Sequence, residues 1–172
     1  MPKAFLSHTS ADRTPHYHVV PPALHAVGDG HCRPFPLAAG QRKFLLVAID
    51  YFTKWVEAEP LARIIEGEVM KFIWKNIVCH FGIPREIISD NSRQFQGRRI
   101  QEWCQGLHIR QKFTTVAHPQ ANGQVEVTNR ILGQGIKRRL ERVGGNWAEE
   151  LTSVLWAYRT TLEGLLEKVL SH

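Results

Sequence analysis

The sequence predicts an α/β fold, and three features carry that expectation. Residues 44–49, Phe-Leu-Leu-Val-Ala-Ile, form a near-continuous apolar run of the kind found in a strand buried on both faces. Residues 86–89, Glu-Ile-Ile-Ser, form a second, shorter buried run. Apolar residues recur at helical period over 64–80, 124–140 and 147–158. Strand runs interleaved with amphipathic helices along one chain define the α/β class.

Composition narrows the class of function. A chain of 172 residues with 43% hydrophobic content supports one domain with a sizeable core. The formal net charge is +6 and the pI about 9.5, a balance that suits a polyanionic partner such as nucleic acid. Cys32, Cys79 and Cys104 are odd in number and widely spaced, so neither a disulfide framework nor a zinc pair is expected, and a reducing compartment is the simpler reading. No apolar run reaches the roughly 18 residues of a membrane span, and the first residues lack the apolar core of a secretory signal.

Taken in order, residues 1–40 carry neither strand nor helix period, and irregular structure is expected there, with His8, His16, His18, His25 and His31 as incidental surface residues. The run at 44–49 leads through a turn at 50–53 into a second strand over 54–61, with Val56 and Ala58 on one face and Glu57 and Glu59 on the other. Asp50 opens that turn, where an aspartate is ordinarily satisfied by nearby backbone amides. Ile65, Val69, Phe72, Ile73 and Ile77 make the inward stripe of the helix over 64–80, which Gly82 and Pro84 stop; Trp74 belongs to the core or to a self-association surface. A loop is expected over 91–97, then a short helix over 98–107 with Ile100, Trp103, Cys104 and Leu107 inward, and an edge strand over 108–113. Residues 114–124 read as a loop turning at Asn122-Gly123 into the helix of 124–140. After the break at Gly144-Gly145-Asn146, a last helix over 147–158 points Leu151, Val154, Leu155 and Tyr158 inward.

Two acidic residues stand out. Asp90 ends the short strand, and Glu126 lies in the first turn of the expected helix of 124–140; thirty-five residues lie between them. Two carboxylates brought together this way can hold a divalent metal through oxygen ligands, and a metal pair can serve phosphoryl transfer. At about 100° per residue, Glu126, Arg130, Gly133 and Lys137 share one helix face, beside a face made of Val125, Thr128, Leu132, Ile136 and Leu140. A metal-binding acid and cations in one row make Arg130, Lys137, Arg138 and Arg139 candidates for phosphate contacts.

Several separated motifs resemble the catalytic core of retroviral and retrotransposon integrases. They are Ser89-Asp-Asn91, His118-Pro-Gln-Ala-Asn-Gly-Gln-Val-Glu126, Phe44-Leu-Leu-Val-Ala-Ile-Asp-Tyr-Phe-Thr-Lys-Trp-Val-Glu-Ala-Glu-Pro60, Phe81-Gly-Ile-Pro84 and Val154-Leu-Trp-Ala-Tyr-Arg-Thr-Thr161. The last three resemble the gypsy-type elements abundant in plants. The similarity covers residues 34–161, leaving 1–33 as an irregular N-terminal segment and 162–172 as a divergent tail without the Thr-Pro-rich continuation of the family. The resemblance implies an RNase H-like fold, a mixed central sheet flanked by helices. It implies Asp90 and Glu126 as catalytic metal ligands for two Mg²⁺ or Mn²⁺ ions, and joining of element DNA ends to target DNA. It also implies nucleic-acid contacts from Asn91, Gln94, His118, Asn122 and Gln124 together with Arg130, Lys137 and Arg138. Homodimers or higher assemblies, a nuclear site of action, no membrane and no small-molecule cofactor follow from the same resemblance.

The family's third acid lies on the first strand, shortly before a Gly-Pro-hydrophobic-Pro segment whose counterpart here is Arg33-Pro34-Phe35-Pro36. That pattern would place it at Gly30, and Asp29 comes one residue early. On a regular strand a one-residue shift turns the side chain to the opposite face, so Asp29 serves as catalytic and metal ligand only if a bulge at the flanking glycines re-aims it. The first strand is otherwise degraded and the triad incomplete, which would make the chain an inactive element remnant that binds nucleic acid. The upstream zinc module of the family needs a Cys-x-x-Cys pair that this sequence lacks. Ser92 stands where the family usually has glycine.

Overall fold

The computed structural model of the chain describes residues 16–20, 35–50, 53–89, 91–113 and 119–170, and their side chains over 35–50, 53–89, 91–113 and 127–161. Five strands, β1 (His16–Val20), β2 (Phe44–Asp50), β3 (Val56–Leu61), β4 (Glu86–Ser89) and β5 (Arg110–Phe113), form one sheet in the order β3-β2-β1-β4-β5. β1 pairs antiparallel with β2 and parallel with β4, so it is the strand at which the sheet changes direction. Its register sets Tyr17 opposite both Asp50 and Ile87. β2 and β3 form the expected antiparallel hairpin, and β5 lies parallel to β4 at the open edge.

The apolar run in β2 is continuous because both of its faces are covered. Leu46 and Ala48 enter a core with Val69, Phe72, Ile73, Ile77, Ile87, Phe95, Ile100 and Cys104. Leu45, Val47 and Ile49 enter a second core, across the sheet, with Leu132, Ile136, Trp147, Leu151 and Val154. Each fully buried Leu, Ile or Phe in these cores contributes roughly 1.5–3 kcal/mol relative to exposure, which suffices to fix the layering of helices, sheet and helices.

On the first face lie α1 (Glu66–Phe72), a π-helical stretch (Ile73–Val78) and one further turn, α2 (Cys79–Phe81). The wider π turn brings Asn76 Nδ2 to 2.9 Å from Glu59 Oε2 on β3. Gly82, at φ 89°, ends the run in a conformation that L side chains rarely adopt. Ile65, expected inward, is instead the exposed residue capping the start of α1, outside the helical repeat that buries Val69, Phe72, Ile73 and Ile77. Trp74 is 49% exposed and so is not a core residue. α3 (Arg93–Gln96) and α4 (Arg98–Gly106) complete this layer.

On the second face, α5 (Pro119–Val143) and α6 (Trp147–Leu170) pack side by side. Gly135 lets them meet: a Cβ there would lie 2.7 Å from Val154 Cγ1. Arg139 Nε reaches Glu150 Oε2 at 2.8 Å across the same seam. No helix among the described residues is long and apolar enough to cross a membrane.

Four expectations are corrected by these elements. A strand forms at 16–20, inside the segment read as irregular, because pairing with β2 and β4 on both sides overrides weak local propensity. That strand occupies the centre of the sheet, while Asp29 and Gly30, where the family pattern set the first-strand acid, lie outside the described residues. Arg93–Gln96 is helical where a loop was expected, drawn in by the buried ring of Phe95. α5 starts at Pro119, not at Gln124, since proline is well suited to a first helical position. α6 continues through 162–170, beyond the helix end expected near Tyr158.

Candidate functional site

β1, β4 and β5 are mutually parallel, so Val20, Ser89 and Phe113 close the same edge of the sheet. In open α/β sheets the crevice beyond such carboxyl ends is the usual place for chemistry. Position 90 follows the buried Ser89 directly, and α5 follows β5 after residues 114–118. The backbone of Glu126 lies two turns into α5 rather than in its first turn as expected, which puts it beyond the turn over which a helix-terminal dipole acts.

Asp29, Asp90 and His118 lie outside the described residues. Asn122, Gln124 and Glu126 are placed in α5 by their backbone alone. Asn91 is exposed, and its Oδ1 accepts a hydrogen bond from Gln96 Nε2 at 3.2 Å. Gln94 is half-buried in α3 beside the buried Phe95. Arg130, Lys137 and Arg138 are exposed on α5, while Lys137 Nζ lies 3.9 Å from Glu141 Oε1. Arg139, also expected to meet phosphate, is held at the seam by Glu150, which leaves Arg130, Lys137 and Arg138 as the outward cations of that group.

Thr128, Leu132 and Ile136 are buried, as the helical face required. Asn129, which that reading passed over, is buried with them at 7% exposure. Its Nδ2 has no hydrogen-bond partner among the described residues. The available signal was its position: an amide at the edge of the apolar stripe, three residues after the candidate acid.

Asp50 serves the turn, as its position indicated. Its Oδ2 accepts from the Thr53 amide at 3.3 Å and from Thr53 Oγ1 at 2.5 Å, and its carbonyl accepts from the Lys54 amide at 2.8 Å. The donor set suits a hard divalent cation as far as it goes: Asp90 and Glu126 offer carboxylate oxygens, the ligands such ions take. The β1 sequence His-Tyr-His-Val-Val adds no third carboxylate, and His16 and His18, read as incidental surface residues, belong to this strand. Among the described residues no group of three potential metal ligands converges.

A mixed sheet ordered β3-β2-β1-β4-β5 and covered by helices on both faces defines an RNase H-like α/β core. The chain belongs to the integrase core domain family, whose profile matches residues 22–119, more than half of the chain. It is 37% identical over 124 residues to the Gag-Pol polyprotein of avian reticuloendotheliosis virus, covering 72% of this chain and 11% of that protein. It is 38% identical over 120 residues to the Gag-Pol polyprotein of gibbon ape leukemia virus, covering 69% and 7%. The chain thus spans about a tenth of the length of these relatives. The HTLV-2 integrase catalytic core domain, solved in complex with magnesium as a trimeric form, superposes with a TM-score of 0.61 at 20% identity, covering 82% of each chain. A chain of the simian T-cell lymphotropic virus intasome gives 0.65 at 22% identity, covering 82% of this chain and 46% of that one.

Proposed function

We propose that the chain is an integrase catalytic core that processes and joins retroelement DNA ends to target DNA by metal-dependent polynucleotidyl transfer. The observation that carries this reading is the pairing of two acidic motifs with the fold: Asp90 follows β4 at the carboxyl edge of the sheet, and Glu126 belongs to α5, inside a chain of this family. Asp90 and Glu126 would hold the cations, Mg²⁺ or Mn²⁺, which when bound supply positive charge at the reacting phosphate. Arg130, Lys137 and Arg138 would hold backbone phosphates, and Asn91, Gln94, His118, Asn122 and Gln124 would contact the DNA around the reacting end. The exposed row on α5 supports the first group, as does the net charge of +6.

Assembly as a homodimer or larger oligomer, and action on nuclear DNA, belong to the same reading; the solved HTLV-2 cores are described as dimeric and trimeric forms. Within the family, the motifs at 44–60, 81–84 and 154–161 favour a gypsy-type element of plants as the source.

A second reading rests on β1. Its sequence, His-Tyr-His-Val-Val, brings no acid to the centre of the sheet, which favours a non-catalytic DNA-binding remnant unless Asp29 supplies the third ligand. The test is strand joining of a labelled element-end oligonucleotide in Mn²⁺ by the unmodified chain and by Glu126→Gln. Joining lost only in the variant supports catalysis. Equal joining by both removes Glu126 from the site, and DNA binding without joining by either favours the remnant.

A further inference from the structure

We infer that the outer groove between α5 and α6 docks an amphipathic helix of a partner protein, one that carries an apolar stripe flanked by carboxylates. The groove is open to solvent, encloses about 1050 Å³ and has mostly apolar walls. Ile131, 45% exposed, stands on its α5 side, and Trp156, 68% exposed, on its α6 side. Gly135 and Ala157 also line it and add little bulk, so the space between the two helices stays open. Val127, exposed and one turn before Ile131, continues the apolar stripe along α5. Large apolar side chains grouped around one groove mark a protein contact, unlike the scattered apolar exposure of any surface.

Charge selects the occupant. Arg138 is exposed and lines the same groove, two helical turns after Ile131, whereas Arg130 and Lys137 lie about 100° round the helix from these two. The neighbouring carboxylates are taken, Glu150 by Arg139 and Glu141 by Lys137. Among the described residues no carboxylate lines the groove or pairs with Arg138. An apolar floor with an unpaired guanidinium beside it fits an apolar helix face flanked by an acid, which supplies a charge-assisted hydrogen bond. A DNA backbone could meet the guanidinium but would leave Trp156 and Ile131 in water, so the apolar walls favour a protein. The helix and a DNA backbone would compete for Arg138. From Val127 to Arg138, α5 rises about 16 Å, or three helical turns, which sets the length of the occupant.

The probe is a synthetic, fluorescein-labelled helical peptide of about four turns, with leucines at helical spacing and glutamates beside that stripe. A second peptide carries lysine in place of each glutamate. Anisotropy titrations compare the unmodified chain with Trp156→Ala, Ala157→Trp and Arg138→Glu, each checked for folding by thermal unfolding. All three residues are exposed, so the variants should unfold close to the temperature of the unmodified chain. The expected result is saturable binding of the glutamate peptide by the unmodified chain, weakened about tenfold or more in Trp156→Ala and in Ala157→Trp, which fills the groove. Arg138→Glu should reverse the preference and bind the lysine peptide more tightly than the glutamate peptide. Absence of binding by the unmodified chain, or equal binding by it and Trp156→Ala, overturns the inference. Sedimentation showing a dimer that Trp156→Ala abolishes makes a second copy the occupant and overturns the partner reading. Affinity for a duplex oligonucleotide weakened by Trp156→Ala, with the peptide unaffected, assigns the groove to nucleic acid instead.

Discussion

Arg159 of α6 donates through Nη2 to the carbonyl of Val56 at 2.6 Å, pinning the last helix to the edge strand β3. The same guanidinium reaches Glu57 Oε2 at 3.0 Å and lies 4.5 Å from the ring centroid of Trp55. Trp55 Nε1 in turn donates to Glu57 Oε1 at 2.8 Å. A planar fork with several donors satisfies all three contacts, and an ammonium does not. Arg159→Lys should therefore lower stability to urea by about 1–2 kcal/mol and Arg159→Ala by about 2–3 kcal/mol. Full stability in the lysine variant would show that the stacked fork is dispensable.

Gly135 is kept by its neighbour rather than by helix preference. Alanine inside a helix is favoured over glycine by about 1 kcal/mol, but here its Cβ would press on Val154 Cγ1, and overpacking a core costs about 1–3 kcal/mol. Gly135→Ala should be neutral to destabilising in the unmodified chain and stabilising by about 1 kcal/mol in a Val154→Ala background. A double-mutant cycle without that change of sign would place the helix seam elsewhere.

Burial pushes the Cys104 thiol up from 9.0 to about 11, because the thiolate would have to form inside the core. The unfolded chain releases this proton near pH 9 and the folded one near 11, so the contribution to stability is full below pH 9 and declines between the two values. The limiting slope is about 1.4 kcal/mol per pH unit. Cys104→Val should flatten the alkaline fall in unfolding free energy over this window. In the folded protein at neutral pH, the exposed Cys79 should react with a thiol reagent while Cys104 does not. Identical alkaline slopes in the two proteins would contradict this.

The exposed row on α5 has a salt signature. If Arg130 meets a backbone phosphate, Arg130→Ala should reduce the slope of log affinity against log salt by about one, with equal weakening across DNA sequences. Arg139→Ala should instead lower stability, since its partner is Glu150. Fluorescence anisotropy titrations at several salt concentrations separate these outcomes.

The sheet was legible where burial dictated composition. β2 could be read because both faces of its pleat are covered, and β4 because Ile87 faces the core. The stripe of α5 was legible for the same reason, through Thr128, Leu132 and Ile136. What was hidden depends on partners distant in sequence. His16–Val20 becomes a strand only because β2 and β4 flank it, and the first-strand position cannot be inferred from its histidines. The π-helical turn at Ile73–Val78 has no local signal, and Pro119 reads as a loop residue until its place at a helix start is known. Of the candidate site, the acids were visible as motifs. The ion pair of Arg139 with Glu150 was hidden because it crosses to α6, and Asn129 was missed because a polar residue reads as solvent-facing.

The central claim is that Asp90 and Glu126 belong to one metal site that acts on DNA. The most direct measurement is Mn²⁺-dependent cleavage or joining of a labelled branched DNA oligonucleotide, comparing the unmodified chain with Asp90→Asn, with folding of both verified. Reaction by the unmodified chain and none by the variant is the expected result. Equal reaction by the two proteins would remove Asp90 from the site, and no reaction by either, with DNA binding intact, would contradict the claim of catalysis.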